Sequence, residues 1–236
     1  LLEGSSIGRI GDDQKFLKES DIEAQLVQVF SAAEGMTLVH TSAQNIDRVV
    51  SIMRASKRTG RKLVIDLYTA AILEATGNQH IPQSDWPEVA LFVPQAQRIQ
   101  IKKNAWFDLL KRHATNRIYI EQIQEAPRKS TLLFRPLHRF DLERGKCLTG
   151  SVYIYSQLEG YWEQGAYDMI KEWLERHAIP KHNIHTSGHA SPVDLKKLVA
   201  AINPRKVVPI HSFMPERYPE LFPNVEAHCD GEWWEV

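Results

Sequence analysis

"HTSGHASPVDLKKLVAAINPRKVVPIHS", residues 185–212, reads in three parts: a polar turn, a helix and a strand. Ser191 supplies a capping hydroxyl, Pro192 suits the first helical position, where no N–H is needed, and Asp194 puts an acid in the first turn. Leu195, Leu198, Val199 and Ile202 then recur at helical spacing until Pro204 stops the run. "KVVPIHS" follows as a strand ending at His211. The turn in front, with His185 and His189 around Ser187-Gly188, is either an ordinary helix entry or an anion site. Free N–H groups and the helix dipole favour a phosphate there, and the two imidazoles could donate to it or move a proton.

The same alternation runs through the preceding residues. Ser20-Asp21-Ile22-Glu23 has the form of a capping box ahead of Leu26, Val27 and Phe30. "MTLVHTS" (36–42) is β-rich, and Ile46, Val49, Val50 and Met53 fall on one helix face. "KLVIDLYTAAIL" (62–73) passes from buried strand to helix, "EVALFVP" (88–94) is a strand, and residues 104–125 read as helical. "STLLFRP" and "GSVYIYS" add strands, and a helix from about 165 to 177 carries Met169, Ile170, Trp173 and Leu174. Strands alternating with helices at this pitch predict an α/β fold with a parallel sheet.

Composition removes several classes of function. The 236 residues balance 29 Lys+Arg against 29 Asp+Glu, so no global basic field announces a polyanion, and any such contact is local. Basic pairs such as Lys102-Lys103 and Lys111-Arg112 are scattered, most as solvated faces, a few as candidates to line a groove. No run is long and apolar enough for a membrane span and no secretory signal is visible, so the cytoplasm is the expected location. Cys147 and Cys229 have no CxxC spacing, so neither a disulfide framework nor a thiolate zinc site is indicated. The opening "LLEGSSIGR" looks like a strand cut midway, which suggests a fragment.

Three groups of residues are candidates for chemistry. His211, at a strand end, is placed where open α/β sheets bind ligands, and neutral histidine is a common metal ligand. Ser42, Asn45 and Arg48 in "SAQNIDR" repeat the strand-turn-helix arrangement and could hold a second phosphate, or could be a capped helix with a solvated Arg. Gly4-Ser5-Ser6-Ile7-Gly8 matches G-x-S-x-G, but a nucleophile elbow needs a full strand before it and an apolar helix behind it, and "RIGDDQKFLKES" is polar.

Residues 185–212 resemble the C-terminal region of the β-CASP branch of metallo-β-lactamase-fold nucleases, the group that includes ribonuclease J. The resemblance extends over most of the chain: "LLEGSSIGR" is similar to the segment with that branch's first acidic motif, at Glu3, "SGHA" to its second, at His189, and "VPIH" to its third, at His211; "TSAQNIDR" and "IYSQLEGY" resemble segments of prokaryotic members. The resemblance implies a β-CASP parallel-sheet cap over residues 18–149, with residues 1–17 and 150–236 forming the C-terminal half of a metallo-β-lactamase αββα sandwich. It implies phosphodiester hydrolysis of nucleic acid, most of all single-stranded RNA, by two zinc ions. His211 would be a zinc ligand, and His189, oriented by Glu3, would protonate the leaving group. His185, Ser187 and Gly188 would contact the phosphate, and Ser42 with Arg48 the nucleic-acid backbone.

One departure limits this. The family's H-x-H-x-D-H metal motif precedes its first acidic motif, and nothing of that form occurs in these residues. A catalytic zinc typically takes three protein ligands, so the expectation is an active full-length protein and an inactive chain. A sheet lacking its partner would expose apolar surface, which makes a homodimer the matching expectation. The rival readings are a non-catalytic nucleic-acid-binding module and a small-molecule hydrolase of the same fold.

Overall fold

The computed structural model describes residues 1–234, which divide into two compact units, residues 1–17 with 187–234, and Lys18–Thr186. The fold is α/β with parallel sheets, as the alternation of patterns predicts.

The discontinuous unit opens with β1 (Leu2–Glu3). The continuous unit then runs α1 (Glu19–Ala32), β2 (Thr37–His40), α2 (Ile46–Arg58), β3 (Lys62–Ile65), α3 (Leu67–Ala75) and β4 (Val89–Phe92). It continues with α4 (Gln95–Lys103), α5 (Phe107–His113), β5 (Arg117–Ile118), α6 (Ile120–Glu125), β6 (Ser130–Leu133) and α7 (Arg139–Arg144). It closes with β7 (Val152–Tyr155), α8 (Glu159–Glu163), α9 (Asp168–Arg176) and β8 (Lys181–Asn183). All seven strands are parallel, in the order β5-β4-β3-β6-β2-β7-β8.

Strand residues alternate between two cores, as a period of two requires. Val39, Leu63, Ile65, Leu91, Leu133 and Ile154 pack with Ile22, Leu26, Ile52 and Leu73 of α1, α2 and α3. Leu38, Val64, Phe92, Leu132, Tyr153 and Tyr155 pack with Ile123, Leu142 and Trp173 of α6, α7 and α9. Because both faces are covered, the strands read as continuous apolar runs. Each fully buried Leu or Ile contributes roughly 1.5–3 kcal/mol. Thr37 donates to Thr131 Oγ1 at 2.8 Å, so the central β2–β6 pair is also tied through hydroxyls.

In the discontinuous unit, β1 pairs in parallel with β9 (Pro209–Ile210), and α10 (Pro192–Ile202) and α11 (Tyr218–Leu221) complete the order. Leu2, Ile7, Leu195, Val199, Val207, Tyr218 and Phe222 form its core.

Four expectations change. Residues 150–186 belong to the seven-stranded sheet, because β7 pairs with β2 and β8 with β7, so the boundary falls after Thr186 rather than at 149. Residues 104–125 are not one helix, because Ala105 adopts φ 55° between α4 and α5, and Arg117–Ile118 leave the helix to pair with β4. The cap of α1 is the Asp21 carboxylate accepting from Lys18 N–H at 2.8 Å, so the box starts at Lys18, ahead of the expected Ser20. The strand in "KVVPIHS" is only Pro209–Ile210, and His211 follows it with φ 47°.

Candidate metal and phosphate site

Parallel pairing of β1 with β9 sets Glu3 opposite Ile210, so Glu3 and His211 leave adjacent strand ends. His189 arrives from the turn before α10, where Ser191 accepts from Asp194 N–H at 3.3 Å as the sequence predicts. Glu3, His189 and His211 thus come together, each offering one ligating atom within 4.8 Å of the others. The His189 and His211 rings meet edge to face, with centroids 5.4 Å apart.

Glu3 is the hub. Its Oε2 accepts from both the N–H and the hydroxyl of Ser5, each at 3.0 Å, and lies 3.5 Å from His189 Nδ1. Its Oε1 accepts from Ala190 N–H at 3.2 Å. Burial alone would raise the Glu3 carboxyl, but the Ser5 and Ala190 hydrogen bonds and the nearby His189 outweigh it and hold the group below the usual carboxylate range. Such a carboxylate fixes the ring it faces.

His211 is exposed and makes no side-chain hydrogen bond among the described residues. Its left-handed backbone costs a non-glycine residue roughly 1–2 kcal/mol, and strain of this kind concentrates at functional sites. It also lines a cavity of about 440 Å³ whose other residues include Ser212, His228 and Trp234. Two imidazoles and a carboxylate are donor types that suit zinc. The Glu3 oxygens already accept hydrogen bonds, which leaves His211 as the unengaged donor.

The remaining candidates separate. Ser187 lies in the unit of Glu3, where its Oγ accepts from His189 N–H at 3.1 Å and shapes the turn. Gly188 is exposed, and a Cβ there would meet nothing within 4 Å, so no described neighbour requires glycine. His185, Ser42 and Arg48 lie in the continuous unit. Ser42 is exposed and its hydroxyl accepts from Gln44 N–H at 3.2 Å. His185 is half-buried beside Arg48 and Glu19, its Nδ1 has no hydrogen-bond partner among the described residues, and burial holds its pKa below the ordinary value.

Arg48 corrects an expectation. It is 0% exposed, and its guanidinium grips Glu19 at 2.8–3.2 Å and donates to the Ser156 hydroxyl. Ser51 completes the network with a 2.9 Å bond to Glu19. A side chain enclosed in this way is unavailable to a nucleic-acid backbone. Asn45 is the N-cap of α2, accepting from Arg48 N–H at 3.1 Å.

The G-x-S-x-G match also resolves. Ser6 is buried, its hydroxyl has no hydrogen-bond partner among the described residues, and Gly4 is needed because a Cβ there would overlap the Tyr218 hydroxyl, which donates to Leu2 O at 3.1 Å. Cys147 is buried, its thiol pushed up to about 11 by burial, and both cysteines are free. Ser5, Ala190 N–H and Tyr218 carry no sequence signal as site residues; their roles emerge only from the pairing of β1 with β9.

Residues 176–212 match a family described as the Zn-dependent metallo-hydrolase RNA specificity domain. That segment holds His185, Ser187, Gly188, His189 and His211 but not Glu3. A search of curated proteins finds no match. Among solved structures, the chain is similar to a protein of unknown function from Enterococcus faecalis V583, with 23% identity and a TM-score of 0.63. The likeness covers 97% of this chain and 49% of that one, so the chain spans about half its length, and at this identity it speaks for the fold. Among the described residues no helix is long and apolar enough to cross a membrane.

Proposed function

We propose that the chain is part of a zinc-dependent hydrolase of nucleic-acid phosphodiester bonds, acting on RNA, with Glu3, His189 and His211 at its reacting end. The convergence of these three residues from distant parts of the chain carries the reading. The similarity of residues 176–212 to an RNA specificity domain of zinc-dependent hydrolases supports it.

In this reading Glu3 faces His189 Nδ1 and orients the ring, so that Nε2 serves the phosphate or passes a proton to the leaving oxygen. Ser187 and Gly188 form the phosphate-facing turn. His211 would hold zinc, and further ligands would have to come from a longer protein, since one free imidazole falls short of the usual three. When bound, the metal supplies Lewis-acid stabilisation of charge on the phosphoryl oxygens.

The test is hydrolysis of single-stranded RNA by the full-length protein with zinc, with and without His189→Ala and His211→Ala. Zinc-dependent cleavage lost in both variants is the expected result. Cleavage of an ester substrate but not of RNA would overturn the proposal.

A further inference from the structure

The chain is neutral overall, yet residues 95–113 carry Arg98, Lys102, Lys103, Lys111 and Arg112 against the single acid Asp108. This stretch is the α4–α5 hairpin, near the β5 edge of the sheet. Arg98 and Arg112 are held by Asp141 and Glu74, whereas the exposed Lys102, Lys103 and Lys111 form no ion pair among the described residues.

Aromatic surface accompanies the charge. Trp106 is 49% exposed, Phe107 56% and Tyr68, on α3, 41%. Tyr68 and Trp106 line a groove of about 240 Å³ between α3, α4 and α5, floored by Leu67, Ile101 and Leu109. The Arg135 guanidinium lies over the Tyr68 ring, 4.5 Å from its centroid.

The turn presenting Trp106 is built at a cost. Ala105 has φ 55°, a conformation unfavourable for any residue with a Cβ, and Trp106 N–H donates back to Ile101 O at 3.0 Å. The same left-handed residue and 6→1 bond close the C-terminus of α4 and leave the indole half exposed beside the unpaired lysines. Flat rings accept any nucleobase face, and lysines spaced along the same hairpin meet phosphates.

We propose that the α3–α4–α5 face is a docking surface for single-stranded RNA, with a base lodged between Tyr68 and Trp106 and the backbone following Lys102, Lys103 and Lys111. Charge complementarity selects a polyanion over an apolar partner, and the choice of RNA over DNA rests on the proposed function, to which the likeness of residues 176–212 contributes. The surface lies wholly in the continuous unit and stands whether or not Glu3, His189 and His211 hydrolyse anything.

The test is fluorescence anisotropy of a labelled single-stranded oligouridylate titrated with the chain at several salt concentrations. Trp106→Ala and Tyr68→Ala should each weaken binding about tenfold, with Trp106→Phe restoring most of it. Lys102→Gln with Lys103→Gln should reduce the slope of log K against log salt by about 1.4. Circular dichroism and melting of these surface variants should match the parent, which separates lost contact from lost fold. Absence of oligouridylate binding, or affinity unmoved by both sets of variants, would overturn the proposal. So would tighter binding of the matching oligodeoxyribonucleotide, or binding of phosphatidylserine vesicles in place of the oligonucleotide.

Discussion

His189 Nδ1 stands 3.5 Å from Glu3 Oε2, and the residue after that histidine donates its N–H to the other oxygen of the same carboxylate. One side chain therefore fixes both the ring and the turn that carries it. In the full-length protein, His189→Ala is expected to lower RNA hydrolysis by roughly 10²–10⁴-fold, the range for loss of a positioned acid or base. Glu3→Gln keeps the shape but not the charge, so it should lower kcat and displace its pH profile while KM changes little. A Glu3→Gln profile superimposable on the parent's would remove Glu3 from the mechanism.

Arg48 supplies a second prediction, about stability. Its guanidinium bridges Glu19 and Ser156 from a fully buried position, so Arg48→Ala removes the cation facing Glu19, which keeps only the Ser51 hydroxyl, and the donor to the Ser156 hydroxyl. Breaking such a pair from one side should cost about 3 kcal/mol in urea denaturation. Arg48→Ala with Glu19→Gln should recover part of that loss. Weaker RNA binding by Arg48→Ala at unchanged stability would restore the phosphate role that the structure withdraws.

His40 and His138 make the continuous unit sensitive to acid. Both are buried, and burial lowers each from 6.5 to about 4, aided at His40 by the charges of Arg135 and His138. Between those pH values the unfolded chain holds a proton on each ring that the folded chain refuses. Stability is therefore complete above about pH 6.5 and falls as pH drops toward 4, by on the order of 3 kcal/mol for each ring. Urea midpoints measured from pH 8 to 4.5 should show this decline, and His138→Gln should flatten it.

Gly4→Ala tests the neighbourhood of Glu3 by crowding. The new methyl would collide with the ring and hydroxyl of Tyr218, at a cost of roughly 1–3 kcal/mol. Adding Tyr218→Phe should relieve part of it. An unaltered melting temperature for Gly4→Ala would show that the Tyr218 contact is loose.

Sequence reading succeeded where one local force acts. Ser191 and Pro192 start α10 because cap and ring each satisfy a purely local requirement. It failed where a distant strand decides. Tyr153 and Ile154 look the same whether their strand extends the cap sheet or the other unit, and only pairing with β2 assigns them to the former. Arg48 resembles a solvent-facing phosphate ligand until Glu19 and Ser156, from elements on either side of it in sequence, are seen to close over it. His211 was legible as a strand-end residue, but its left-handed φ was not, because non-glycine residues enter that region only under tertiary constraint.

The strand order has a consequence for how the molecule is made. β6 lies between β2 and β3, although nearly a hundred residues separate it from β2 in sequence (Thr37 bonds Thr131, 94 positions apart). A nascent chain that has emerged only as far as Lys129 possesses β2 and β3 with a strand-wide gap between them, and no neighbouring segment can close it. Synthesis must therefore run well past the middle of the chain before either core is sealed, which places the folding barrier late and at long range. Pulse proteolysis of ribosome-stalled chains should find protection only once residues 130–133 have left the tunnel. A separate peptide carrying β6, supplied to the truncated chain, would then act as the missing wedge.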